Sequence, residues 1–160
     1  MNSEHLKAIH WTESNKKSLT KTLNTLKSIK GFDQRIQTAH NQAFGEIDCL
    51  ECGNCCRTTG PLLLHSDIDK IARKQKLSSK EFIARHLRVD EDGDFVFNSM
   101  PCPFLGTDNY CSIYSYRPKA CREYPHTDQK GQAAILHLTR KNAKICPAVS
   151  KILKIVHELG

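Results

Sequence analysis

Cys49-Leu50-Glu51-Cys52-Gly53-Asn54-Cys55-Cys56 places four thiols within eight residues, in the pattern C-x2-C-x2-C-C. A C-x-x-C step closes a tight turn that points both sulfurs the same way. Gly53 and Asn54 tolerate the positive φ such turns need. Backbone N–H groups inside the turn can point at thiolates and stabilise them. Spacing of i, i+3, i+6, i+7 beside Gly-Asn is a poor pattern for cysteines that merely fill a core. Paired Cys motifs of this kind are metal signals, and thiolates select zinc, Cu(I) or iron–sulfur clusters.

Four more thiols extend the set. Cys102 stands in Pro101-Cys102-Pro103-Phe104-Leu105 and Cys111 in Tyr110-Cys111-Ser112-Ile113-Tyr114. Cys121 follows Arg117-Pro118-Lys119-Ala120, and Cys146 precedes Pro147. Together these residues resemble the CxxCxxCC cysteine-cluster family, described as zinc- or iron-chelating, over about residues 49–147. A similar cluster occurs in flagellin lysine methylases, where it holds an iron–sulfur centre. The resemblance implies that all eight cysteines, Cys49, Cys52, Cys55, Cys56, Cys102, Cys111, Cys121 and Cys146, serve as metal ligands. The implied cofactor is zinc or iron, with a [4Fe–4S] cluster among the forms iron could take.

Eight thiols divide naturally into two four-ligand sites. Neighbouring side chains diverge in most backbone conformations, so Cys55 and Cys56 are expected to serve different centres. One grouping sets Cys49, Cys52 and Cys55 with Cys146, by analogy with the C-x2-C-x2-C and Cys-Pro spacing of bacterial ferredoxins. Cys56 then joins Cys102, Cys111 and Cys121. Four-sulfur zinc would be closed and structural, whereas a cubane would allow electron transfer. Both remain open at this point.

The chain has 160 residues and a formal charge of +7 with its cysteines counted as neutral. Thiolates would offset part of that excess, so weak nucleic-acid contact is an expectation only of the loosest kind. The longest aliphatic run, Leu62-Leu63-Leu64, is too short to cross a membrane. No apolar h-region follows Met1, so a reducing, cytoplasmic setting and metal ligation are expected rather than disulfides.

The expected fold class is α+β: a small helix-rich cysteine-cluster domain over 46–160, with short strands or hairpins and long irregular loops. An N-terminal helical extension over 1–45 precedes it. Leu19, Leu23, Leu26 and Ile29 form an apolar stripe within a helical stretch over 14–44. Gly31 is expected to break it and Asp33 to cap the second piece, giving a hairpin of two helices or one bent helix. Lys16, Lys17, Lys21, Lys27 and Lys30 read as a solvated face.

Further along, Leu62–His65 reads as a short buried strand, and Ser66 as the cap of a helix carrying Ile68, Ile71 and Ala72. Ser78 and Glu81 form a capping box. Val89 to Phe97 reads as a hairpin whose acidic turn, Asp90-Glu91-Asp92-Gly93-Asp94, lacks the ligand pattern of a calcium loop. Residues 99–130 form an irregular lobe, and 133–138 are expected to be a strand. Pro147 opens a closing helix with Val149, Ile152, Leu153, Val156 and Leu159 inward.

His65, His86, His126 and His137 lie within the matched region but read as packing or surface residues before ligands. Arg117 and Arg122 flank Cys121 and are candidates to hydrogen-bond thiolates. Tyr114, Tyr116 and Tyr124 read as packing residues. No GxSxG, HExxH, P-loop or GxGxxG motif is present. Three function classes therefore stand: a metal-binding protein acting through an unidentified protein partner, an iron–sulfur redox protein, and a transferase scaffolded by the cluster.

Overall fold

The computed structural model describes residues 2–159. In chain order it begins with α1 (Ser3–Ser14), α2 (Lys16–Leu26), α3 (Phe32–Glu46) and the short α4 (Cys49–Cys52) and α5 (Asn54–Thr58). Strand β1 (Leu62–Leu63), α6 (His65–Lys74), α7 (Ser79–His86), β2 (Leu87–Val89) and β3 (Phe95–Phe97) follow. A 3-10 turn at Tyr114–Tyr116, α8 (Lys119–Glu123), α9 (Gln132–Asn142) and α10 (Pro147–Glu158) complete it. This is a helix-rich α+β chain with one small antiparallel sheet. It forms two compact units, Met1–Cys52 with Pro125–Gly160, and Gly53–Tyr124.

The first unit is organised around α10, which packs most extensively on α3 and α1. Its Val149, Ile152, Leu153 and Val156 are buried as the apolar stripe demands, whereas Leu159 is exposed. Leu159 falls past the last helical residue, at the cap position. Leu19, Leu23 and Leu26 of α2 and Ile36, Ala39 and Ala43 of α3 are buried, one face of each helix. Gly31 separates these helices at φ 91, a left-handed value that glycine adopts freely. Helix α1 was not visible as a stripe, because the residues it buries are His5 and Thr12. Its one sequence signal is Asn2, whose side chain accepts from His5 N at 2.9 Å.

Two further expectations about this unit need correction. Asp33 does not cap its own helix. Its carboxylate accepts from Gly131 N at 2.7 Å and Gln132 N at 2.9 Å, and so caps α9 instead. Residues 133–138 are not a strand but lie within α9. The buried positions Gln132, Leu136 and Thr139 step by helical intervals, and a short apolar run alone does not separate the two periods.

The second unit holds the sheet, in the order β1-β3-β2. Leu62 pairs with Val96, and Leu87 and Val89 pair with Phe97 and Phe95. The hairpin turn is built as its sequence asks: Asp90 Oδ1 accepts from the Asp92 and Asp94 amides, and Gly93 sits at φ 85. The capping box forms, Ser78 N donating to Glu81 and Glu81 N donating to Ser78 Oγ. Helix α6 starts one residue before Ser66, with Leu64 as its cap residue. Asp67 supplies the side-chain acceptor that leucine lacks, taking Leu64 N at 3.2 Å. The core of this unit gathers Leu63, Ile68, Ile71, Phe82, Leu87, Phe97, Phe104 and Ile113. Phe104 lies on Phe82 and Phe97, with ring centroids 6.2 and 5.7 Å away.

Candidate metal centre

Phe104 and Ile113 matter because each stands two residues after a cysteine. Burying them pins the backbone beyond Cys102 and Cys111. With the chain so held, the amides of Phe104 and Leu105 donate to the Cys102 sulfur and the Ile113 amide to Cys111. The Cys102 amide itself donates to Cys56 O at 2.8 Å, which ties the segment to α5. Leu105 N donates to Cys102 O at 3.0 Å, and Leu105 bridges to Cys111, closing the loop on which both thiols sit. Cys121 comes from α8, whose start is anchored by Lys119 N on the buried Asp67 carboxylate.

Within this unit Cys56, Cys102, Cys111 and Cys121 act on one another electrostatically. Burial pushes Cys102 up to about 11 and Cys121 up to about 12, and the neighbouring thiol charges add to both. Burial raises Cys111 as well. Cys56 moves the other way, down to about 7. A hydrogen bond from Cys55 is the main cause, and the Arg117 and Arg57 guanidiniums assist against burial. The Cys55 and Cys56 sulfurs lie 4.0 Å apart. That is close to the ~3.8 Å sulfur–sulfur edge of a tetrahedron with 2.3 Å zinc–sulfur bonds. The divergence expected of adjacent side chains is therefore not what α5 produces, and it does not force these two thiols onto different centres.

In the other unit, Cys49 and Cys52 bracket the single turn of α4, and their charges bear on Cys146. Cys146 is the residue before α10, with Pro147 opening the helix. The free amides of that first turn, Ala148 and Val149, donate to its sulfur, while burial pushes the thiol up to about 12.

The arginines divide their roles differently from the sequence reading. Arg117 is pinned by Nε on Tyr114 O at 2.9 Å and lies 3.6 Å from the Tyr114 ring centroid. Its charge favours the thiolates of Cys56, Cys111 and Cys121. Arg122 instead donates to Arg117 O and stands 3.9 Å from Asp67, an ordering role. Arg57 donates to Asn109 Oδ1. His86 packs on Phe82 and Phe104, His65 on Phe95, and His126 meets Gln129.

Among the described residues, no three His, Cys, Asp or Glu side chains already stand in ligating geometry. The donor chemistry nonetheless fits a soft cation. Amides aim at sulfurs that burial, helped by neighbouring thiol charges, keeps protonated, so a cation is the missing charge. Residues 48–147 match the model of the CxxCxxCC family, described as "Putative zinc- or iron-chelating domain". No curated protein and no solved structure matches the chain. Among the described residues no helix is long and apolar enough to cross a membrane.

Proposed function

This chain belongs to the CxxCxxCC family, and on that premise we propose that it is a thiolate metal-binding protein for zinc or iron. Cys56, Cys102, Cys111 and Cys121 would hold one ion. Cys49, Cys52 and Cys146 would contribute to a second centre. The observation that carries this reading is the set of backbone amides directed at the sulfurs of Cys102, Cys111 and Cys146. Amide donors stabilise a thiolate, yet burial holds these groups as thiols. A divalent cation resolves that conflict by replacing the protons.

Bound with four sulfurs, zinc is closed and structural, and fixes the loops that carry its ligands. An iron–sulfur centre is the second reading. The unit containing Cys49-x2-Cys52 and Cys146-Pro147 favours it, since that spacing suits a cluster. Elemental analysis and absorption spectra of protein purified without oxygen test both. Zinc gives a colourless protein with stoichiometric metal, and an iron–sulfur centre gives absorption near 400 nm (roughly, for sulfur-to-iron charge transfer). Protein that is metal-free as purified and does not take up either metal would overturn the proposal.

A further inference from the structure

A cavity of about 80 Å³ lies within the first unit, where α2 begins, α9 ends and Leu153 of α10 forms part of the wall. A single water needs about 10–15 Å³ on this measure, so the space accommodates a group of several heavy atoms. Lys16, Arg140 and Lys144 line it, with one carboxylate, Glu13. Among the described residues none of these three cations is in an ion pair, although Lys151 and Lys154 of α10 do find carboxylates. The lysines are exposed at the rim.

One guanidinium nitrogen of Arg140 donates to Thr20 O and Asn24 Oδ1, both at 3.3 Å. Its Nε–H, by contrast, is buried with no acceptor. A guanidinium N–H is a donor only, so the group it lacks must accept. The start of α2 adds to the same demand. Asn15 stands at the cap position, where its Nδ2 donates to Trp11 O and its side chain accepts no bond from α2. The first turn of α2, beside Lys16, thus has no side-chain acceptor from its cap residue. Thr12 and Thr20 contribute lining as well.

A basic pair near the end of α9 would also complement that helix's negative end, but complementing it does not require a cavity or leave a buried N–H empty. We propose that this cavity is a binding site for a phosphate-type oxyanion, either the free ion or a phosphoryl group on a small molecule. Arg140 Nε–H would donate at the base and Lys16 and Lys144 would close over the anion from the rim. The site is independent of the cysteines.

Titration of the isotope-labelled chain with inorganic phosphate, at ionic strength held constant with chloride, tests this by amide NMR. Saturable shifts are expected at Thr12, Lys16, Thr20 and Lys144. Arg140→Gln and Lys144→Gln should each weaken binding about tenfold or more, while Lys30→Gln, beyond the far end of α2, should leave it unchanged. Phenyl phosphate in a parallel titration distinguishes the source: tighter binding than inorganic phosphate assigns an ester ligand, and exclusion assigns the free ion. If Arg140→Gln disturbs the fold, Lys144→Gln decides, because its exposed side chain carries no packing. Shifts that never saturate, that chloride reproduces, or that Lys30→Gln weakens as much as Lys144→Gln overturn the proposal.

Discussion

The two units of this chain are held by different forces. In the unit of α1, α2, α3, α9 and α10, Leu23, Ile36, Val149, Ile152 and Leu153 are wholly buried. Each contributes about 1.5–3 kcal/mol on the usual area scale. In the unit of residues 53–124 the sheet and two helices bury a comparable, more aromatic cluster, but the long segment after Asn98 does not share it evenly. From Asn98 to Tyr124 only Phe104, Ile113 and Pro118 are buried, while three cysteines fall in the same stretch. The contrast teaches that apolar burial suffices for the helical unit. The irregular segment has anchors too few for its length and places thiols between them.

The largest expected effect is therefore confined to one side of the comparison. Structural zinc in small sites carries on the order of 10–16 kcal/mol of apparent binding free energy. Metal removal should raise amide exchange and proteolysis across 98–124 and leave α2, α3 and α10 protected. Equal loosening in both units would break the comparison. Acid should act in the same direction as a chelator. Near neutral pH Cys102, Cys111 and Cys121 are protonated in the metal-free chain and Cys56 is close to its midpoint. Loading all four thiols should release roughly three to four protons, so affinity should fall steeply as pH drops.

In the metal-free chain the signs differ by residue. Cys56, held at about 7 against an ordinary 9.0, contributes stability that is present above 9.0 and is lost as pH falls through about 7. Cys102 and Cys121, raised, contribute stability present below 9.0 that is lost as pH rises towards 11 and 12. Thermal melts of chelated protein across pH 6 to 10, taken as roughly this window, should show a maximum and not a monotonic trend.

Leu153→Ala is the complementary perturbation. The side chain is fully buried in α10, and truncation should cost about 2–5 kcal/mol, with most of the spread set by how far the site relaxes. Denaturant unfolding should register that loss with metal stoichiometry unchanged. A metal content that falls in step with Leu153→Ala would show that the helical unit, and not the anchors beside the cysteines, supports the thiols.

Local rules read well from sequence where a residue acts on its own neighbours. The capping box at Ser78 and Glu81, the Asp90 turn, the Leu19-Leu23-Leu26 stripe and the Pro147 helix start are of this kind. The failures share a cause, a partner distant in the chain. Asp33 looked like a local cap and serves α9 instead, and α9 looked like a strand because its cap lay out of view. Arg117 and Arg122 looked alike beside Cys121, and only the fold separates them: Arg122 donates to Arg117 O, whereas Arg117 lies on the Tyr114 ring. The cysteine pattern, and with it the family, was legible from spacing. What spacing did not carry was the role of Phe104 and Ile113, although a buried-type residue at Cys+2 occurs in both segments and was the available signal.

Arg117 and Arg122 sharpen the point at smaller amplitude. Arg117→Ala removes a charge that bears on three of the four sulfurs, and removal of such a supporting group usually costs about 10–100-fold in metal retention. Arg122→Ala removes its bond to Arg117 O and a partly exposed contact to Asp67, the latter worth at most about 1 kcal/mol, and should leave retention unchanged. Chelator competition on the two folded variants orders them, and equal retention would remove Arg117 from the centre.

The smallest effect belongs to Asp33. Its two accepted hydrogen bonds come from Gly131 N and Gln132 N, 98 and 99 residues away, at the start of α9. Gly131 has no side chain to offer there and sits at φ 80, so nothing local replaces the carboxylate. Loss of a helix cap costs about 0.5–2 kcal/mol. The charge-assisted bonds and the positive helix end place this one in the upper half of that range. Asp33→Ala should lower the stability of the helical unit by that amount and speed amide exchange in the first turn of α9. Asp33→Asn keeps an acceptor without the charge and should recover part of the loss. Because the contact joins α3 to α9 inside one unit, exchange across 98–124 should not change in either variant. An Asp33→Ala protein as stable as the parent would mean that water caps α9 equally well, and the long-range cap would then be geometry without energy.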